Sequence, residues 1–136
     1  MRKGKFQVGL FRSVFDSSSL INIKNKHKMN IIRSRISDII IPRKVADELT
    51  CPDVSRSDPL CRFVLNYPSV IVQLQDHEEV EYLRVRSQIG IHDGEAAAIT
   101  IAMNRNLPLV IDDQKAKEKA ENHGVNVLSS GDFVSR

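Results

Sequence analysis

Asp38-Ile39-Ile40-Ile41-Pro42-Arg43-Lys44-Val45-Ala46-Asp47-Glu48-Leu49 is the stretch whose reading decides the fold. Three successive β-branched residues with no polar alternation mark a strand covered on both faces, as strands of a parallel sheet are. Pro42 stops the run and suits the first turn of a helix, where its missing N–H leaves nothing unpaired. Val45 and Leu49, four apart, then give a helix over Arg43 to Leu49 one apolar face.

The same alternation extends in both directions. Upstream, Ser13-Val-Phe-Asp16 reads as a first strand ending in an acid, and Ser17-Ser-Ser19 fits a helix N-cap. Leu20 to Ile23 continues as a short helix, Lys24 to Lys28 as a basic connection, and Met29 to Arg35 as a second helix. Downstream, Cys51 to Asp58 is a loop, Leu60 to Asn66 is helical, and Val70 to Leu74 is a third strand after the Tyr67-Pro68 break. Asp76 to Gln88 is a charged helix in which Val80, Leu83 and Ser87 recur at helical spacing, ended by Gly90. Asp93 to Met103 is a strong helix whose small residues allow close packing on a sheet. Leu107 to Asp112 is a fourth strand, Gln114 to His123 a helix ended by Gly124, and Val125 to Leu128 a fifth strand. Strands alternating with helices predict a three-layer α/β/α sandwich around a mainly parallel sheet of four or five strands. Residues 13–136 are expected to form a single domain, preceded by a basic extension over residues 1–12.

Charge is uneven along the chain. Eleven Lys and Arg against two acids up to Lys44 leave +9 there and −6 in the remainder, within a formal total of +3. That division suits either two solvated faces of unlike sign, or a protein that grips a polyanion with one surface and gathers carboxylates at another. Lys24, Lys26, Lys28, Arg43 and Lys44 are the basic residues expected to meet such a polyanion.

Several chemistries are excluded by what the sequence lacks. Cys51 and Cys61 stand without a CxxC or a zinc-finger histidine spacing and read as reduced thiols. His27, His77, His92 and His123 are dispersed, without HExxH. Neither GxGxxG, GxxxxGK[ST] nor GxSxG occurs, which argues against a dinucleotide, a P-loop nucleotide or a serine nucleophile. No apolar run approaches the ~18 residues of a membrane span, and the amino terminus lacks a signal-peptide core, so a cytoplasmic protein is expected.

Four acids fall where an open α/β sheet places its crevice, beyond the carboxyl ends of the strands. Asp16 closes the first strand and the Asp112-Asp113 pair closes the fourth. Glu48 and Glu95 lie on helices that can point to the same edge. Taken singly, each has a local explanation: Asp16 and Asp113 as caps, Glu48 on a solvated helix face, Glu95 favouring a helix N-terminus. Taken together, gathered carboxylates repel unless a hard cation such as Mg²⁺ or Mn²⁺ neutralises them. Asp93 reads as a cap of the Glu95 helix, with ligation beside the four acids as the alternative.

Val-Phe-Asp16-Ser-Ser-Ser-Leu-Ile, Ile-Ile-Ile-Pro42-Arg-Lys-Val-Ala-Asp-Glu48-Leu, Asp93-Gly-Glu95-Ala-Ala-Ala-Ile and Leu-Val-Ile-Asp112-Asp113, in that order, resemble the PIN-domain nucleases. The compact prokaryotic branch that includes VapC-type toxins is similar in its GEAAAI segment and Asp-Asp strand end. The resemblance implies a catalytic, metal-holding quartet of Asp16, Glu48, Glu95 and Asp113, with Asp112 as an auxiliary ligand. A one-residue shift would exchange the two aspartates. It also implies a role for Ser17 or Ser18 near the scissile phosphate, and hydrolysis of RNA that leaves a 5′-phosphate and a 3′-hydroxyl. A homodimer and a cognate antitoxin are implied partners. Two rival readings are a non-catalytic RNA-binding or partner-binding module and a Mg²⁺-dependent receiver-like or phosphatase-like domain. The serines after Asp16, where the latter would carry a second acid, count against it.

Overall fold

A computed structural model describes residues 12–135, so the expected basic extension lies outside the described residues except for Arg12. Among the described residues five strands form one sheet: β1 (Ser13–Phe15), β2 (Ile39–Pro42), β3 (Ile71–Val72), β4 (Leu109–Val110) and β5 (Val127–Leu128). Their order is β3-β2-β1-β4-β5 and every pairing is parallel. Val14 of β1 stands opposite Ile40 on one side and Leu109 on the other. The chain thus builds outward from β1 twice, first through β2 to β3 and then through β4 to β5. The reversal between β1 and β4 opens a crevice at the carboxyl ends of those two strands.

Eight α-helices among the described residues connect and cover the strands: α1 (Ser17–Asn25), α2 (Met29–Ser34), α3 (Arg43–Leu49), α4 (Pro59–Asn66), α5 (Asp76–Arg86), α6 (Asp93–Arg105), α7 (Gln114–Asn122) and α8 (Ser130–Val134). The predicted continuous apolar strands work as expected, because successive side chains enter opposite cores. Val14, Ile40, Leu109 and Ile111 join the buried residues of α5, α6 and α7. Phe15, Ile39, Ile41 and Val110 join those of α1 to α4 and of α8. Two cores on one sheet make the three-layer sandwich.

The alanine-rich α6 is buried from Ala96 through Ala102, as its small side chains allow. It ends at Asn106, whose left-handed backbone (φ +54°) is a conformation asparagine tolerates in a helix cap. β3, β4 and β5 are shorter than the expected runs, and 3-10 turns over Ile36–Asp38 and Pro68–Val70 take up Asp38 before β2 and Val70 before β3. A further element follows β5: α8 inserts Phe133, whose ring meets Phe15 edge-to-face at 4.7 Å between centroids. Arg35 lies 4.0 Å over that ring and donates to the Phe133 carbonyl at 2.6 Å.

The stripe on α5 turns the other way from a core-facing pattern. Val80 is 63% and Leu83 66% exposed, and Ser87 is exposed as well. Glu78, Tyr82 and Val85 face inward instead. The reason is Glu78, fully buried, whose carboxylate receives Arg105 Nη2 at 2.7 Å, Arg105 Nε at 2.9 Å and the Gln75 N–H at 2.8 Å. A two-pronged guanidinium pair with a cap bond satisfies the buried acid and sets the rotation of the helix.

Candidate active site

The crevice at the β1/β4 reversal is an open cleft of about 730 Å³, and Asp16, Glu48, Glu95 and Asp113 all line it. Four separate elements deliver them. Asp16 is the N-cap of α1: its Oδ1 accepts from the Ser19 N–H at 3.0 Å and its Oδ2 from the Ser18 hydroxyl at 2.8 Å. Asp113 is the N-cap of α7, accepting from the Ala116 N–H at 2.9 Å. Glu95 closes a capping box by accepting from the His92 N–H at 3.2 Å. Glu48 stands in the last turn of α3, reached through Pro42 at the end of β2. Capping and cleft lining are therefore the same act for three of the acids. Bonding the first turn of a helix turns a carboxylate toward the strand ends, where the helix dipole favours its charge.

Electrostatically the cleft is under strain. Burial of Asp16, only 2% exposed, raises its pKa above the ordinary carboxylate value; the bonds from Ser19 and Ser18 oppose this and the charge of Glu95 adds to it. Glu48 is also raised, first by partial desolvation and further by Asp93, against hydrogen bonding to Ser17 and Gly94 and the nearby His92. Gly94 leaves room for that carboxylate: a Cβ placed there would come within 2.7 Å of Glu48 Oε1.

Hard oxygen donors gathered at one cleft, with a buried aspartate that has no cationic partner among the described residues, are a donor set chemically suited to a divalent cation. Among the described residues, no group of three or more His, Cys, Asp or Glu side chains is arranged to hold a metal ion as it stands. The caps occupy one oxygen each of Glu95 and Asp113, leaving the other oxygen of each without a hydrogen bond among the described residues.

The remaining predicted residues divide. Ser17 and Ser18 line the cleft. Asp112 does not. Its two oxygens accept from Asn22 Nδ2 and the Ser130 N–H, each at 2.7 Å. Burial raises its pKa, but those bonds outweigh the effect and leave it below the ordinary value. Asp112 thereby ties α1 to α8. None of the five basic residues lines the cleft. Lys24 pairs with Asp58 at 2.8 Å, and Lys26 and Lys28 border a hollow beside α8. Arg43 stands 3.9 Å from Asp47, and Lys44 lies 4.8 Å over the Tyr82 ring. Asp93 pairs with Arg86, which lowers its pKa.

Two lysines absent from the sequence reading do line the cleft: Lys115 and Lys119, one turn apart on α7. Their signal is the four-residue spacing directly after Asp113, which puts both on one helix face. Lys119 donates to the Ile89 carbonyl, while Lys115 makes no hydrogen bond or ion pair among the described residues. His92 and the largely exposed Ile89 complete the rim.

Among the described residues no helix is long and apolar enough to cross a membrane. No curated protein matches the chain. A family model described as a PIN domain matches residues 12–130, nearly the whole length. With a parallel 3-2-1-4-5 sheet and carboxylates at its point of reversal, the chain belongs to the PIN-domain family, whose members are generally nucleases.

Proposed function

We propose that the protein is a Mg²⁺- or Mn²⁺-dependent endoribonuclease that acts as one domain in the cytoplasm. One observation carries this reading: acids that follow β1 and β4 and acids on α3 and α6, far apart in sequence, line a single cleft at the sheet's point of reversal. Asp16, Glu48, Glu95 and Asp113 would hold the cation, with Asp16 and Asp113 fixed by their caps and Glu48 admitted by Gly94.

A bound divalent cation supplies Lewis acidity, lowering the pKa of water and offsetting phosphodiester charge. The residues of the chain do the positioning. Ser17 and Ser18 offer hydroxyls beside Asp16, and Lys115, whose ammonium has no partner among the described residues, can meet a phosphate on the α7 side of the cleft. The products would be a 5′-phosphate and a 3′-hydroxyl. The similarity of the GEAAAI segment to VapC-type proteins supports a toxin role restrained by an antitoxin, with a homodimer as the working form.

Incubating a labelled RNA with Mn²⁺, Mg²⁺ or EDTA tests the reading. Cleavage is expected with either cation, none in EDTA, and none in folded Asp16→Asn or Asp113→Asn. Metal-dependent cleavage retained by both variants would refute it. RNA binding without turnover in the wild type would make the protein a binding module instead.

A further inference from the structure

A second hollow, of about 380 Å³, lies between α2 and α4 and shares no lining residue with the acid cleft. Arg33 comes from the last turn of α2, Arg62 and Asn66 from α4, and Tyr67 from its end. These segments lead into the amino-terminal ends of β2 and β3, whereas the acids stand beyond carboxyl ends. Among the described residues neither guanidinium makes a hydrogen bond or an ion pair, and the Asn66 carboxamide and Tyr67 hydroxyl are equally unengaged. The nearest acid in sequence, Asp58, is already held by Lys24 and by the N–H groups of Leu60 and Cys61. The Tyr67 ring is braced against the buried Phe63 at 5.1 Å between centroids.

Two uncompensated guanidinium forks at one opening repel each other and fit the oxygens of a phosphate. A braced aromatic ring and a free carboxamide beside them suit the face and edge of a base. The volume falls within the range of small-ligand pockets. We infer that the α2/α4 hollow binds a nucleoside monophosphate unit, free or within an RNA chain, with Arg33 and Arg62 on the phosphate and Tyr67 and Asn66 at the base. The site stands on these residues alone and does not require the acid cleft to be hydrolytic.

Binding in EDTA, where metal-dependent cleavage is silent, tests it on the full chain. The probes are inorganic phosphate, each of AMP, CMP, GMP and UMP by calorimetry, and a fluorescein-labelled twelve-nucleotide oligo-U by polarisation. Arg33→Ala/Arg62→Ala should weaken the monophosphate or the RNA by about ten-fold or more. For RNA it should also reduce the slope of log affinity against log salt by up to about two. Arg33→Lys/Arg62→Lys should recover part of the loss. Tyr67→Leu should weaken nucleotide without altering inorganic phosphate. A response confined to RNA assigns the pocket to the chain, and a response of a monophosphate assigns it to a free nucleotide. Unchanged affinity for every probe in the folded double alanine variant overturns the inference, whatever the outcome of the cleavage assay.

Discussion

The carboxylate of Glu48 occupies the space that a side chain on Gly94 would need, 2.7 Å from where its Cβ would stand. The glycine of the Asp93-Gly-Glu95 motif thus joins α3 to α6 at the cleft. Glu48 Oε1 is the far end of a flexible side chain, so Gly94→Ala would displace it and leave the backbone in place. Alanine also favours the helix by about 0.5–1 kcal/mol. A thermal melt should show the variant as stable as the wild type or more so, with RNA cleavage down roughly ten- to a hundred-fold. Equal activity would mean that the position of Glu48 is immaterial.

Asp16 is buried, close to the charge of Glu95 and, among the described residues, without a cationic partner. Asparagine keeps the cap on α1 and removes the charge. In EDTA, Asp16→Asn should therefore be more stable than the wild type, on the order of 1 kcal/mol, while with Mg²⁺ or Mn²⁺ present it should show no cleavage. Adding Mn²⁺ should raise the melting temperature of the wild type more than that of the variant, because a cation bound by the folded state stabilises it. A wild type indifferent to Mn²⁺ in the melt would count against a cation site there.

Lys115 is exposed, makes no hydrogen bond or ion pair among the described residues, and stands two residues after Asp113 on the cleft wall. Lys115→Ala should raise KM with little change in kcat, and lower the salt slope of RNA binding by about one. A fall in kcat at constant KM would instead place its contact in the transition state. Lys119 bonds the Ile89 carbonyl, so its replacement should also loosen the segment around Gly90, read as faster amide exchange there.

The Glu78–Arg105 pair gives a pH dependence of stability. The Arg105 bonds, outweighing burial, hold the Glu78 carboxyl below its ordinary value of 4.5. An acid with a depressed folded pKa contributes stability fully above its unfolded value and loses it as pH falls through the folded one. Glu78→Gln should cost about 3 kcal/mol at neutral pH, the lower end for a broken buried pair because Arg105 keeps some solvent access. Denaturant titrations should show that difference narrowing below about pH 4.5. A gap independent of pH would remove the pair from the acid-side stability of the protein.

How much the sequence disclosed depended on how local each determinant is. Ile39-Ile40-Ile41 announced a doubly covered strand because its period is written into adjacent residues, and Asp16, Glu95 and Asp113 could be found because caps sit at predictable helix starts. The stripe of Val80 and Leu83 misled because apolarity alone cannot weigh a buried pair formed with Arg105, twenty-seven residues beyond Glu78. Asp112 and Asp113 are equivalent as neighbours in sequence; what separates them is Ser130 and Asn22, brought to Asp112 only by folding. The basic run from Lys24 to Lys44 marked a charged region but not its direction, since Lys24 and Arg43 meet acids and Lys44 meets a ring.

Helix α6 carries Glu95 in its first turn and Arg105 in its last, roughly 15 Å apart along the axis at 1.5 Å per residue. It behaves as a rigid strut anchored at its distal end by Glu78. A lesion there would be felt at the cleft as a change in the depth and roll of Glu95, so harmful substitutions need not lie near the chemistry. Selections for lost activity should accordingly return variants at both ends of this strut.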